Sequence, residues 1–355
     1  MEQTLNEKRI LVTGSAGFIG ANVVKKLLVS TKGSVIVGLD NCNNYYDVRL
    51  KEYRLAELNR IRHNNRYIFI KCDITDRIFL SSIFEEYRFD YVIHLAAQAG
   101  VRYSITNPDV YLQSNVIGFY NVLELCRCFP VKHLIYASSS SVYGDNHKIP
   151  FSTDDKVDDP ASFYAATKKA DELFAHAYSK LYGIPSTGLR FFTVYGPCGR
   201  PDMAYFLFAN KLIRGEKIEL FNYGHCARDF TYIDDVVEGI VRVIRAVPKA
   251  RPDREDVSLD VLHHVYNLGH GEPVNLLDFV NTLAEELIRA NVLPETFDIR
   301  QHQVLIPMQN GDVPITFADV SEFQQAFGFQ PKTSIREGLH VFSKWFYNFY
   351  VKSRT

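Results

Sequence analysis
The chain has 355 residues, 46% hydrophobic and 23% charged, with a formal net charge of −1. That length supports a large core and two lobes, while near-neutrality without a lysine/arginine tract argues against a nucleic-acid partner. No apolar run approaches the ~20 residues that span a bilayer, and residues 1–8 lack an apolar signal segment, so no membrane partner and a soluble cytoplasmic protein are expected. The six cysteines form no Cys-x-x-Cys pair; they are expected as buried free thiols, with no metal site.

Residues 9–13 (RILVT), 34–39 (SVIVGL), 67–71 (YIFIK), 91–95 (YVIHL) and 133–137 (HLIYA) are short runs rich in β-branched and aromatic residues. Such runs suit parallel strands covered on both faces. Helix-length segments lie between them, near 18–30, 48–62, 76–87, 109–128 and 162–182. The alternation predicts an α/β fold, a Rossmann-type doubly wound parallel sheet whose ligands sit beyond the strand carboxyl ends. Residues 1–184 would form this domain. A further strand at 187–192 leads into the loop Gly196-Pro197-Cys198-Gly199-Arg200-Pro201, after which helical and extended pieces mix. Residues 185–355 are therefore expected as a smaller α/β lobe that binds substrate, with some segments returning to the first domain. The polar stretch 248–258 reads as a surface loop.

The first strand runs into Thr13-Gly14-Ser15-Ala16-Gly17-Phe18-Ile19-Gly20. Glycines at 14, 17 and 20 permit a tight turn, close approach of a pyrophosphate and close helix packing, and the helix start presents its N–H groups to the phosphates. Asp40 closes the second strand, where an acid accepts from both ribose hydroxyls and repels a 2′-phosphate; this favours NAD over NADP. Asn41 and Asn43 follow it, and Ile74 follows Asp73, which either reaches the adenine or caps a helix. Leu95-Ala96-Ala97 ends the fourth strand with small residues beside the same cofactor. All of these are candidate cofactor contacts.

The fifth strand ends in Ser138-Ser139-Ser140-Ser141, and Tyr164 precedes Lys168 by one helical turn. A phenol ordinarily ionises near pH ~10, so half-ionising one at pH 7 takes roughly 4 kcal/mol. A lysine at i+4 and the positive charge of oxidised nicotinamide can each supply part of it. With the glycine loop, this pattern resembles the extended short-chain dehydrogenase/reductases over essentially the whole chain. The resemblance implies that Tyr164 transfers the proton, that Lys168 binds the nicotinamide ribose and assists Tyr164, and that Ser139 orients the substrate hydroxyl.

Asn43-Asn44-Tyr45-Tyr46-Asp47, Arg190-Phe191-Phe192-Thr193-Val194-Tyr195-Gly196-Pro197, Gly199-Arg200-Pro201-Asp202-Met203-Ala204 and Arg228-Asp229-Phe230-Thr231-Tyr232-Ile233-Asp234-Asp235 are together similar to the nucleotide-sugar 4-epimerases, especially those acting on UDP-glucuronate. That resemblance implies inversion at C4 of UDP-glucuronate to UDP-galacturonate, through a 4-keto sugar and tightly bound NAD. It places Arg228 on the diphosphate, unless it is a surface arginine paired with Asp229. Ser140, Ser141 and Thr193 would fix the carboxylate, which must not align for loss of carbon dioxide beside the C4 ketone. Arg200 and Arg102 are candidates to gate the pocket or contact that carboxylate; Lys211 and Arg214 read as solvated. Cys198 departs from the bulky aromatic residue expected there. A decarboxylase acting on UDP-glucuronate is the runner-up, disfavoured because Ser141 stands where those enzymes carry Glu. A 4-epimerase of UDP-galactose or UDP-N-acetylhexosamine comes third, disfavoured by Thr193, where Asn is common. A nucleotide-sensing protein without catalysis would tend to lose the Tyr164/Lys168 pair. The family usually forms homodimers through two helices, here 109–128 and 162–182, where Val110, Tyr111, Val116, Phe119, Tyr120, Leu173, Phe174, Ala177, Tyr178 and Leu181 recur at helical spacing. Core packing explains the same stripe.

Overall fold
The computed structural model describes residues 4–61, 65–249, 261–308 and 313–352. Five of the expected strands form as β1 (Arg9–Thr13), β2 (Val35–Asp40), β3 (Arg66–Lys71), β4 (Tyr91–His94) and β5 (His133–Ser139). The sixth, β6 (Ser186–Phe191), starts one residue earlier than its pattern suggests. In the second half, β7 (Thr193–Tyr195), β9 (Ala227–Tyr232) and β11 (Pro273–Asn275) make a three-stranded sheet, and β8 (Ile218–Leu220) pairs with β12 (Gln303–Leu305). One later strand, β10 (His263–Leu268), returns to the first half and pairs in parallel with β6. The result is a seven-stranded parallel sheet ordered β10-β6-β5-β4-β1-β2-β3.

Helices α1 (Phe18–Ser30), α2 (Val48–Arg60) and α3 (Arg77–Tyr87) agree with the sequence patterns to within two residues. The helix expected over 109–128 forms without interruption, but with a widened turn inside it. After α4 (Val101–Thr106) come α5 (Pro108–Tyr111), a π-helical turn (Leu112–Ile117) and α6 (Gly118–Cys128). The buried Asn115 explains the wide turn's place. Its Oδ1 accepts from Gln98 N at 2.8 Å, while its Nδ2 donates to Gln98 O and Thr167 Oγ1 at 3.0 Å. A turn widened at such a site aims a side chain that a regular helix would direct elsewhere. Helix α7 (Phe163–Tyr182) begins at a Ser162 cap, whose Oγ accepts from Ala165 N, and ends at left-handed Gly183. The remaining helices are α8 (Ala204–Leu212), α9 (Ile233–Arg245), α10 (Leu276–Arg289), α11 (Ser321–Phe327) and α12 (Ile335–Phe346).

Register positions the site. Thr13 pairs with Leu39 and with His94, and His94 with Tyr136. The next residues, Gly14, Asp40, Leu95 and Ala137, therefore emerge side by side at one edge. Gly14 has φ +70°, and a Cβ there would stand 2.8 Å from Leu95 C and O and Ala96 N. Glycine is required for sterics as well as for turning.

Two ties hold the second half together and to the first. Glu286, with no exposed side-chain surface, bridges α10 and α12 by accepting from Arg289, Arg336 and His340 at 2.7–3.0 Å. Arg54 on α2, 3% exposed, donates to Ala16 O (2.9 Å), Tyr46 Oη (2.7 Å), Cys198 O (2.6 and 3.0 Å) and Gly199 O (3.1 Å). All of these partners are neutral oxygens. One guanidinium thus fastens the glycine loop to the loop after β7, at the point where Cys198 takes a left-handed φ of +57°.

Other expectations need correction. The cysteines are free thiols, but Cys128 is exposed and Cys42 and Cys198 are half-buried. Within the 109–128 stripe Tyr111 and Phe119 have no exposed surface, as the core-packing alternative expects, whereas Val110 and Tyr120 are exposed. Residues 250–258 of the expected surface loop lie outside the described residues.

Candidate active site
A cleft runs along the carboxyl edge of the sheet, floored by Gly14, Gly17, Phe18, Ile19 and Gly20. Gly17 opens α1 with no side chain capping its first amides. Those N–H groups and the positive end of the helix dipole suit an anionic diphosphate. Asp40, Asn41 and Asn43 line one end with Asp73 and Ile74, and Leu95, Ala96 and Ala97 line the centre.

Asp40 does more than face the cleft. Its Oδ2 accepts from Ala16 N at 3.1 Å and its Oδ1 from Cys42 N at 2.8 Å, so it also braces the glycine loop. Lys51, unnoticed in the sequence, lies buried 3.6 Å from Asp40 Oδ1 and donates to Asn43 Oδ1 at 3.0 Å. It lies one helical turn before Arg54, so α2 turns a basic face towards the loop. Asp73 is not a helix cap, because Asp76 takes that position on α3 and accepts from Phe79 N. Asp73 instead accepts from Asn41 Nδ2 (2.8 Å), Thr75 N (2.9 Å) and Thr75 Oγ1 (2.7 Å). Burial raises its pKa, but these bonds outweigh that and leave the carboxyl below its ordinary value.

The cleft continues past Ser138 and Ser139 to Tyr164 and Lys168. Tyr164 is 8% exposed, with its ring edge-on to Tyr111 at 5.9 Å. Lys168 Nζ donates to Ala137 O and to Asp171 Oδ2, each at 3.0 Å. Ser139 Oγ accepts from Ser141 N at 3.2 Å and lies 3.1 Å from Ser141 Oγ, capping a short 3₁₀ turn (Ser140–Tyr143). Ser138 donates to Glu172 Oε1, whose carboxylate also takes two bonds from Arg190 at 2.8 and 2.9 Å. A buried hydrogen-bond network accounts for Ser138.

The proposed sugar side converges less. Arg200 lines the cleft together with Phe191, Phe192, Val194 and Met203. Its guanidinium is paired with Asp202 and donates to Ala99 O at 3.3 Å. Tyr45 donates to the same Asp202 at 3.2 Å, and burial with that carboxylate pushes the phenol up to about 12. Ser140, Ser141 and Thr193 follow the strand ends but are not among the residues lining this cleft. Arg102 lies 4.8 Å over the Phe221 ring. Arg228 donates to Ala227 O and Pro314 O rather than pairing with Asp229. Asp229 turns inward to accept the N–H groups of His270, Gly271 and Ala318. Lys211 occupies the last turn of α8, and Arg214 pairs with Glu216 at 2.6 Å.

The family model described as the NAD dependent epimerase/dehydratase family matches residues 10–269. The chain is similar to UDP-glucuronate 4-epimerase 2 of Arabidopsis thaliana, at 44% identity over 352 residues covering 98% of this chain and 78% of the relative. A probable UDP-glucuronate 4-epimerase of Rhizobium meliloti is 43% identical over 353 residues, covering 98% and 99%. Among solved structures, the UDP-glucuronic acid 4-epimerase of Bacillus cereus in complex with UDP-glucuronic acid and NAD matches with a TM-score of 0.82. Identity there is 30%, over 96% of this chain and 100% of that one.

Proposed function
The chain belongs to the NAD dependent epimerase/dehydratase family, and within it we propose reversible inversion at C4 of UDP-glucuronate to give UDP-galacturonate. The cofactor is NAD, which supplies a reversible hydride acceptor when bound. The first-turn amides of α1 and the glycine loop suit its diphosphate, Asp40 its adenosine ribose, Asp73 its adenine and Lys168 its nicotinamide ribose. The uncapped helix start and the buried acid at the end of β2 support this fit.

The chain's own chemistry is proton transfer and orientation. Tyr164 removes the proton from the sugar 4-hydroxyl and later returns it on the opposite face, after the flat 4-keto sugar has turned about its diphosphate linkage. Ser139 orients the reacting hydroxyl. Arg228 anchors the diphosphate, and Arg200 or Arg102 bounds the pocket. Ser140, Ser141 and Thr193 hold the carboxylate through neutral donors. Held out of line with the C4 carbonyl, it does not leave as carbon dioxide. Residues 1–184 serve the cofactor, and residues 185–355 mainly the UDP-sugar.

One observation carries the reading: Tyr164, Lys168 and Ser139 meet in the cleft that begins at the glycine loop. We also propose a cytoplasmic homodimer, joined through the exposed Val110, Tyr120, Leu173, Phe174 and Leu181. Among the described residues, no helix is long and apolar enough to cross a membrane. Incubation with UDP-glucuronate without added NAD, followed by product analysis, tests the activity. UDP-galacturonate is expected; a UDP-pentose with released carbon dioxide would make the protein a decarboxylase instead.

A further inference from the structure
Lys168 has a partner that the proposed chemistry leaves unused. Its side chain is 2% exposed and that of Asp171 is 1% exposed, with 3.0 Å between Nζ and Oδ2. The other carboxylate oxygen, Asp171 Oδ1, has no protein hydrogen-bond partner among the described residues. Tyr164, Lys168 and Asp171 follow the i, i+4, i+7 spacing and so share one face of α7. Along the axis the backbone rises about 10 Å from Tyr164 to Asp171, with Lys168 at an intermediate level.

We propose that Asp171 is a positioning residue for proton transfer: it holds the Lys168 ammonium against Ala137 O, and its charge sets how strongly that ammonium favours the Tyr164 phenolate. The inference rests on Tyr164 being the proton-transfer group. An ionised carboxylate in contact with Lys168 cancels much of the cation's field at the phenol. An uncharged side chain at 171 would leave that field intact.

The surroundings single out this pair. On the same helix the charge of Glu172 acts on Asp171, but two bonds from Arg190 on β6 compensate it. Tyr136 on β5 is pushed well above the ordinary phenol range by burial and by Glu172 and Asp171, so it is neutral. His263 on β10, bonded to Tyr136 Oη at 2.8 Å, is lowered to about 3, chiefly by burial. His94 on β4, which feels Lys168, is lowered to about 3 by burial and that cation. Both histidines are neutral at working pH. Burial pushes the Asp171 carboxyl up, while the Lys168 ammonium at 3.0 Å favours its charged form.

Asp171→Asn in the holoenzyme keeps the size and hydrogen-bonding reach while removing the charge. The acid limb of the kcat profile on UDP-glucuronate should move about one pH unit towards acid, the effect of a unit charge roughly 10 Å away at an effective dielectric near ~20. KM should be unchanged. Phenolate absorbance from Tyr164, read as the difference between this variant and the same variant carrying Tyr164→Phe, should shift equally relative to the wild-type difference. An unmoved acid limb with unmoved absorbance would overturn the proposal. Asp171→Ser supplies the same uncharged comparison if the asparagine variant does not fold. Should the wild type fail to turn over UDP-glucuronate, the functional reading falls, while the absorbance titration still decides the role of Asp171.

Discussion

On the sheet side of the cleft, parallel register alone brings Gly14, Asp40 and Leu95 together, because Thr13 pairs with both Leu39 and His94. On the side built from residues 191–203, positions depend largely on contacts between segments distant in sequence. Arg54 on α2 holds the carbonyls of Cys198 and Gly199, and Arg200 is fixed by Asp202 and the Ala99 carbonyl. The first wall repeats one local rule along successive strands. The second is an agreement among loops, and it is only as firm as the groups that tie them. Changes on the sheet side should therefore act on chemistry or local stability, whereas changes at the ties should act on both walls at once.

The sharpest separation comes from Tyr164→Phe, which removes one oxygen from the sheet-side wall. Turnover should fall roughly 10²–10⁴-fold, with NAD still released in wild-type amount on denaturation. Loss of NAD together with activity would mean that the phenol maintains the wall. Arg54→Met tests the tie. It leaves the carbonyls of Ala16, Cys198 and Gly199 without this donor, at a cost of about 2–4 kcal/mol in urea unfolding. Unlike Tyr164→Phe, it should lower bound NAD and raise KM together, and an effect on only one of the two would break the comparison.

The smallest expected effect lies behind the sheet, at Glu124 on α6. The Arg127 side chain, with Tyr178 and Arg77, holds this carboxyl down at about 2, below its ordinary 4.5. A depressed acid stabilises the fold above its unfolded value and loses that contribution as pH falls from 4.5 towards 2. Thermal melts of Glu124→Gln should thus differ from wild type above pH 4.5 and converge with it below, while cleft chemistry is unchanged.

The sheet was legible because buried parallel strands write themselves as short apolar runs, and the glycine loop because a close turn admits no Cβ. Tyr164 and Lys168 were legible because helical spacing places i and i+4 on one face. The widened turn inside 109–128 was not, since it goes with Asn115 reaching the Gln98 backbone from across the fold. Asp73 stayed open between adenine contact and helix cap, because only the folded chain shows that Asp76 takes the cap of α3. Lys51, Arg54 and Asp171 look like ordinary charged helix residues in a linear reading, and only burial shows that each holds a loop or an ammonium.

The strand segments, the phosphate loop, the acid ending the second strand and the phenol–ammonium pair were determined by the sequence itself, because each follows from local periodicity or from sterics within a few residues. Tertiary structure decided the return of β10 to the sheet, the turning of Asp229 away from Arg228, and the pairing of Lys168 with Asp171. Those outcomes depend on which polar groups lose water together, and that is set by packing between segments far apart in the chain.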